Sequence, residues 1–92
     1  MGEITKSSKP IEKLKKGDKI VIDGHELEVD DQVLLLDHKV TKEMAIEAFE
    51  PKSEREFQIR YFTDRLDVTA PELYELVGEI QYIKREFKKL EW

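Results

Sequence analysis

The chain has no cysteine and no asparagine, only three glutamines, and few of the residues that break regular structure, with four glycines and three prolines in 92 residues. The absence of cysteine excludes disulfides, thiolate zinc sites and thiol nucleophiles. No apolar run approaches the length of a membrane span and no signal-peptide pattern opens the chain, so the expectation is a cytoplasmic protein without a membrane partner. Ser7, Ser8 and Ser53 are the only serines and lie in polar stretches, and there is neither a glycine-rich phosphate loop nor a nucleophile elbow. No catalytic motif is present, and the expected protein is not an enzyme. Few amides beside abundant Glu and Lys fit the composition of a thermophile's chain.

Positive charge is missing from one interval in particular. Between Lys19 and Lys39 there is no Lys or Arg, whereas Asp23, Glu26, Glu28, Asp30, Asp31 and Asp37 all fall within it. Residues 1–20 carry +3, residues 21–37 carry −6 and the remainder −2, for a formal net charge of −5. The acidity is local. A net acidic chain argues against nucleic acid as the main partner, because phosphate binding rests on clustered Lys and Arg.

Ninety-two residues suffice for one domain. Residues 1–10 are polar and read as a flexible tail, leaving 11–92 as a single folded unit. The strongest local signal is Ile20-Val21-Ile22, then Asp23-Gly24, then His25 to Asp30. Asp-Gly between such segments is a hairpin cue, since a type I′ turn needs positive φ at both central positions. A two-residue loop pairs Ile22 with His25, Val21 with Glu26, Ile20 with Leu27 and Lys19 with Glu28. Ile20, Ile22, His25, Leu27 and Val29 then share the core face, and Glu26, Glu28 and Asp30 point the other way. The apolar run Val33 to Leu36 reads as a separate buried strand. A tight turn at Asp31-Gln32 would set Glu28 against Leu35, Glu26 against Asp37 and His25 near His38.

Residues 41–50 are read as a helix capped by Thr41 and closed by Pro51, although Met44, Ile46 and Ala48 also alternate as in a strand. Residues 56–62 alternate Phe57, Ile59 and Tyr61 against Gln58 and Arg60 and read as a strand. Thr69-Ala70-Pro71-Glu72 has capping-box spacing. Leu73, Leu76, Val77, Ile80, Ile83, Phe87 and Leu90 then follow on one helical stripe. The expected fold class is therefore α+β: a small, mainly antiparallel sheet from 19–22, 25–30, 33–37 and 56–62, with a long C-terminal helix packed on it and the ring of Trp92 against the body.

The acidic interval is the candidate site. Two carboxylates about 5 Å apart repel by roughly 1 kcal/mol in water and more at lower dielectric, a cost relieved by a cation, a basic partner or full hydration. Oxygen-only ligands suit hard cations, Ca²⁺ before Mg²⁺. The segment does not match an EF-hand loop: counting from Asp23, the third position is His25, the fifth Leu27 and the sixth Glu28. The two histidines, His25 and His38, could add a transition-metal ligand. An exposed acidic strand edge that only keeps the protein soluble is the simpler alternative.

Leu14 to Gly24, LKKGDKIVIDG, resembles the opening strand of the SH3-like barrel in elongation factor P and the hypusine-carrying initiation factor, and no lysine-bearing loop tip follows it. Pro10 to Asp18 resembles an early strand of hedgehog/intein domains, whose activity is excluded because the catalytic Cys is missing. In size, acidity and order of elements the chain is similar to small uncharacterised acidic α+β proteins of methanogenic archaea. That resemblance implies an archaeal protein with an acidic pocket for calcium.

Two functional expectations follow. One is a non-enzymatic, calcium-binding protein whose oxygen ligands are Glu26, Glu28, Asp30, Asp31 and Asp37, with Asp23 at the margin. The other is an SH3-like interaction module, monomeric or weakly dimeric, that docks a basic protein or ribosomal partner on the same acidic face.

Overall fold

The computed structural model describes residues 3–37, 39–63 and 71–92. Its elements are β1 (Glu3–Lys6), a single 3-10 turn (Ile11–Lys13), β2 (Lys19–Ile22), β3 (His25–Asp37), β4 (Lys42–Glu50), β5 (Arg55–Phe62), β6 (Glu72–Val77), β7 (Gln81–Arg85) and β8 (Lys89–Glu91). They form one sheet in the order β1-β8-β2-β3-β4-β5-β6-β7. All its pairings are antiparallel except β1 with β8. The sheet curls into a half-barrel with β1 and β7 as its two edges.

The expected α+β class is therefore corrected to all-β, because the described residues contain no α-helix and no C-terminal helix. The stripe that suggested the helix is divided by a turn at Gly78, whose φ of +66° lies where side chains are disfavoured. Leu73, Phe87 and Leu90 reach the core from three separate places, while Ile80 is 90% exposed. Tyr74, Val77, Tyr82 and Ile83 suit strands, and pairing of β6 with β5 and β7 offers them partners that an isolated helix lacks. The Thr69-Ala70 part of the expected cap lies outside the described residues.

Residues 41–50 are corrected in the same way. The alternation of Ile46 and Ala48 prevails over the helical propensity of Met and Glu, because β4 is a central strand paired on both sides. The tight turn at Asp31-Gln32 does not form either. β3 runs unbroken for 13 residues and pairs with β4, with register irregularities between Val29 and Asp31 and between Leu34 and Leu36. Such bulges bend a strand and allow one long segment to follow a curled sheet. The run read as a buried strand instead leaves Leu34, Leu35 and Leu36 at least one-third exposed.

The β2–β3 hairpin has the expected register, from Lys19↔Glu28 to Ile22↔His25. Asp23 (φ 50°) and Gly24 (φ 85°) supply the two positive-φ residues of its turn. Residues 3–6, within the segment read as a tail, pair with β8. The following segment is held by Ser8 N–H donating to the Trp92 carbonyl (2.7 Å) and by the Trp92 indole donating to the Lys9 carbonyl (2.5 Å).

The concave face holds the core. Ile20, Leu27, Val29, Ile46, Ile59 and Leu90 are almost fully buried, and Ile11, Leu14 and Phe87 close over them from the connecting segments. Burying each such side chain stabilises the fold by about 1.5–3 kcal/mol. The one amide drawn into this face, Gln32, is fully engaged. Its amide nitrogen donates to the Leu14 carbonyl (2.8 Å) and its carbonyl accepts from the Tyr61 hydroxyl. That ties the 3-10 segment to the sheet.

Candidate docking face

The bulge after Val29 decides where the six carboxylates go. Glu26 and Glu28 alternate outward, and Asp31 rejoins their face opposite Glu47. Asp30 falls at the irregularity and is exposed. Asp37 ends β3, roughly 35 Å of strand path from Glu26, where its carboxylate accepts the Lys39 N–H (2.9 Å). Asp23 points at the backbone of another strand and accepts the N–H groups of Lys88 (3.0 Å) and Lys89 (2.8 Å). Glu28 pairs with Lys19 (3.1 Å), and Asp31 accepts its neighbour's N–H from Gln32 (2.8 Å). His25 contacts Glu50, while His38 lies outside the described residues.

Among the described residues no group of three or more His, Asp or Glu side chains is close enough to hold a metal ion. The calcium- and metal-binding description is corrected on that ground. Three of the six carboxylates, Glu26, Glu28 and Asp31, do share one surface, the convex face of the sheet.

Cross-strand pairing lays out that face in rows. One row runs Asp31, Glu47, Gln58, Tyr74, Lys84 across five strands. A second runs Val33, Ala45, Arg60, Glu72, and a third Glu28, Phe49, Glu56. The Arg60 guanidinium lies over the Tyr74 ring, 3.9 Å from its centroid, and also over the Tyr82 ring at 5.6 Å. Both distances are within the range in which a cation is attracted to a ring face. Arg60 is fixed by its Nε donating to the Gln58 carbonyl oxygen (2.6 Å). Burial, and then the negative charges of Glu47 and Glu56, hold the Tyr82 hydroxyl above the ordinary phenol range. Lys84 pairs with Glu72 at 2.8 Å, and that hydrogen bond draws the Glu72 carboxyl below its ordinary value.

The convex face thus combines tyrosine rings with carboxylates and already accommodates one guanidinium. This arrangement suits cationic side chains, which gain from ring faces and from carboxylates at once. Arg60 was legible as lying opposite Phe57, Ile59 and Tyr61. Tyr74 and Tyr82 escaped notice because residues 73–90 read as a helix. The signal that would have found them is the strand-like alternation Glu72, Tyr74, Leu76 beyond Pro71.

A second cluster occupies the concave side, near the β2–β3 turn. Glu50 is buried, accepts the Ser53 hydroxyl (2.5 Å) and contacts His25 Nδ1 (2.8 Å). These two hydrogen bonds, Ser53's the larger, lower its carboxyl from the ordinary value. Glu75 is likewise buried and receives Arg55 through both Nε and a terminal nitrogen (2.8 Å each), and Arg85 through Nε (3.1 Å). The Arg55 fork first, and then Arg85, overcome the cost of burial and bring the Glu75 carboxyl down to about 2.

No helix of the described residues is long and apolar enough to cross a membrane. No family model matches the chain, and neither does any curated protein or any solved structure. The likeness of residues 14–24 to elongation factor P therefore stands as a resemblance alone. The likeness to the methanogen proteins rests on an α+β order of elements that the fold does not have, and no relative supports an archaeal origin.

Proposed function

We propose that this protein is a non-enzymatic, cytoplasmic interaction module that docks a basic protein segment on the convex face of β3 to β7. The observation that carries the reading is Arg60 lying over Tyr74 and Tyr82, with Glu47 and Glu56 close enough to act on Tyr82. An arginine or lysine of a partner meets the same chemistry beside it, and Glu28 and Asp31 extend the acidic track along β3. On this face the carboxylates of Glu26, Glu28, Asp31, Glu47, Glu56 and Glu72 outnumber the cations of Lys19, Arg60 and Lys84, and attraction between such an acidic surplus and a basic chain speeds encounter and fixes register more than it adds affinity.

The test is an amide NMR titration of the labelled protein with a short Arg- and Lys-rich peptide, repeated at low and high salt. Saturable shifts centred on residues 28, 31, 47, 56, 74 and 82, weakened at high salt and by the double substitution Glu47→Gln, Glu56→Gln, support the proposal. Linear shifts scattered over the whole surface, or binding indifferent to both salt and substitution, would sink it.

A further inference from the structure

We infer that the second half of β3 is an association edge for a second copy of this chain, the two β3 strands pairing antiparallel about a two-fold axis near Leu35. β2 covers β3 only from His25 to Glu28. The loop before β2 adds two hydrogen bonds at Val29, from Gly17 N–H to its carbonyl (2.9 Å) and from its N–H to the Asp18 carbonyl (2.8 Å). Among the described residues, no backbone hydrogen bond reaches Asp30 to Asp37 from the side away from β4. This stretch is apolar from Val33 to Leu36, with no lysine or proline to guard it. Leu34, Leu35 and Leu36 are all exposed, and the bulge leaves Leu35 opposite no residue of β4. An unpaired edge bearing exposed leucines is a template for another strand.

The edge complements itself. Antiparallel pairing about an axis near Leu35 sets the run Val33 to Leu36 of one copy against the same run of the other. A slip that moved the axis to Leu34 would oppose Asp31 to Asp37, and like charges directly across a strand pair disfavour it. With the axis near Leu35, the turn that follows β3 arrives at Asp30 and Asp31 of the second copy, so Lys39 approaches carboxylates. The same turn carries Val40, which is 90% exposed. Beside Asp31 and Gln32 lies a hollow of about 290 Å³ with Leu14 and Met44 as its apolar wall. Each copy thus offers an apolar tip and a hollow placed to receive one, as a two-fold, isologous contact requires. Pairing at this edge widens the sheet beyond β3 and leaves Tyr74 and Tyr82, on β6 and β7, uncovered. The dimer and the docking of a basic segment can therefore fail independently.

Sedimentation equilibrium of the full chain tests the inference. Between about 10 µM and about 1 mM the mass should rise from 10.9 kDa towards twice that value, the weak association expected of an interface below about 800 Å² per partner. Leu35→Lys and Leu36→Lys, both at exposed positions, bring like charges to the axis and should each weaken the dimer about tenfold while the amide NMR spectrum stays dispersed. The chain has no cysteine, so a single introduced one reports the register. Leu35→Cys should give a disulfide-linked dimer under mild oxidation, because opposed residues of an antiparallel pair lie about 4.5–5.5 Å apart at Cα, within disulfide reach. Val40→Cys is more exposed but remote from its own counterpart, and should cross-link about tenfold more slowly. A chain that stays monomeric at about 1 mM overturns the inference. So does a dimer indifferent to both lysine substitutions, or equal cross-linking of the two cysteine variants.

Discussion

Arg60 and Tyr74 stand on neighbouring strands and on the same face, with the guanidinium carbon 3.9 Å from the ring centroid. They are diagonal rather than directly opposed, since Arg60 pairs with Glu72 and Tyr74 with Gln58. The arginine side chain therefore leans along the sheet to cover the ring, and Gln58 holds it there. A cation–ring contact of this kind contributes about 0.5–1 kcal/mol at exposed sites.

Replacing Arg60 by Met tests this relationship from both directions. The fold should lose about 0.5–1 kcal/mol in a denaturant titration, the size of the cation–ring contact. Affinity for a basic peptide should nevertheless rise severalfold, because a like charge is removed and two ring faces are released. A fall in affinity would mean that Arg60 itself contacts the partner.

Asp23 joins the β2–β3 turn to the start of β8, accepting N–H groups at both Lys88 and Lys89. Asp23→Ala removes the acceptors and places a less suitable residue at φ 50°. The expected loss is about 1–3 kcal/mol, most of it the cost of leaving donors without partners. Asp23→Asn, which tolerates that φ and retains one oxygen, should cost less. Hydrogen exchange at the Lys88 and Lys89 amides should accelerate in the alanine variant before any global change, and an unchanged rate there would refute the link.

The ion-pair cluster at Glu75 gives a pH dependence with a definite sign. Its carboxyl titrates at about 2 in the folded protein, below the ordinary glutamate value near 4.5. A depressed acid contributes stability that is present above the unfolded pKa and is lost as pH falls through the folded one. Stability should therefore decline between about pH 4.5 and pH 2. Because both arginines are nearly half exposed, solvent screening reduces the contribution to about 1 kcal/mol. In Glu75→Gln this part of the acid limb should flatten, measured as the urea midpoint against pH.

Ile46 lies in central β4, opposite Ile59 and Gln32, with no exposed surface. Ile46→Ala should destabilise the fold by about 2–5 kcal/mol through lost transfer energy and a cavity that the paired strands cannot close. The denaturant midpoint should drop with the slope unchanged.

Where local signals were self-sufficient, the residues were readable in advance. Asp23-Gly24 specifies its own turn, since few residue pairs accept two positive φ values in succession, and the turn sets the register of Ile20, Ile22, Leu27 and Val29. The alternation of Phe57, Ile59 and Tyr61 likewise placed Arg60 on the opposite face. Residues 73–90 misled because leucine and isoleucine spaced at three and four positions satisfy a helical stripe as well as three short strands. What separates the two readings is pairing with β5 and β2, a contact between residues far apart in the chain.

The same distinction holds for the function. The amino-acid sequence by itself determined the local excess of carboxylates between Lys19 and Lys39, the absence of thiol chemistry and the hairpin that presents Glu26 and Glu28. Only the tertiary structure decided which charges meet. The bulge in β3 kept Glu28 and Asp31 on the convex face and left Asp37 remote. The turn at Gly78 brought Tyr74 and Tyr82 to Arg60 across two strands. Side-chain direction in a strand reverses with every residue, so one bulge or one turn reassigns a whole face, and its effect is settled by the neighbouring strands.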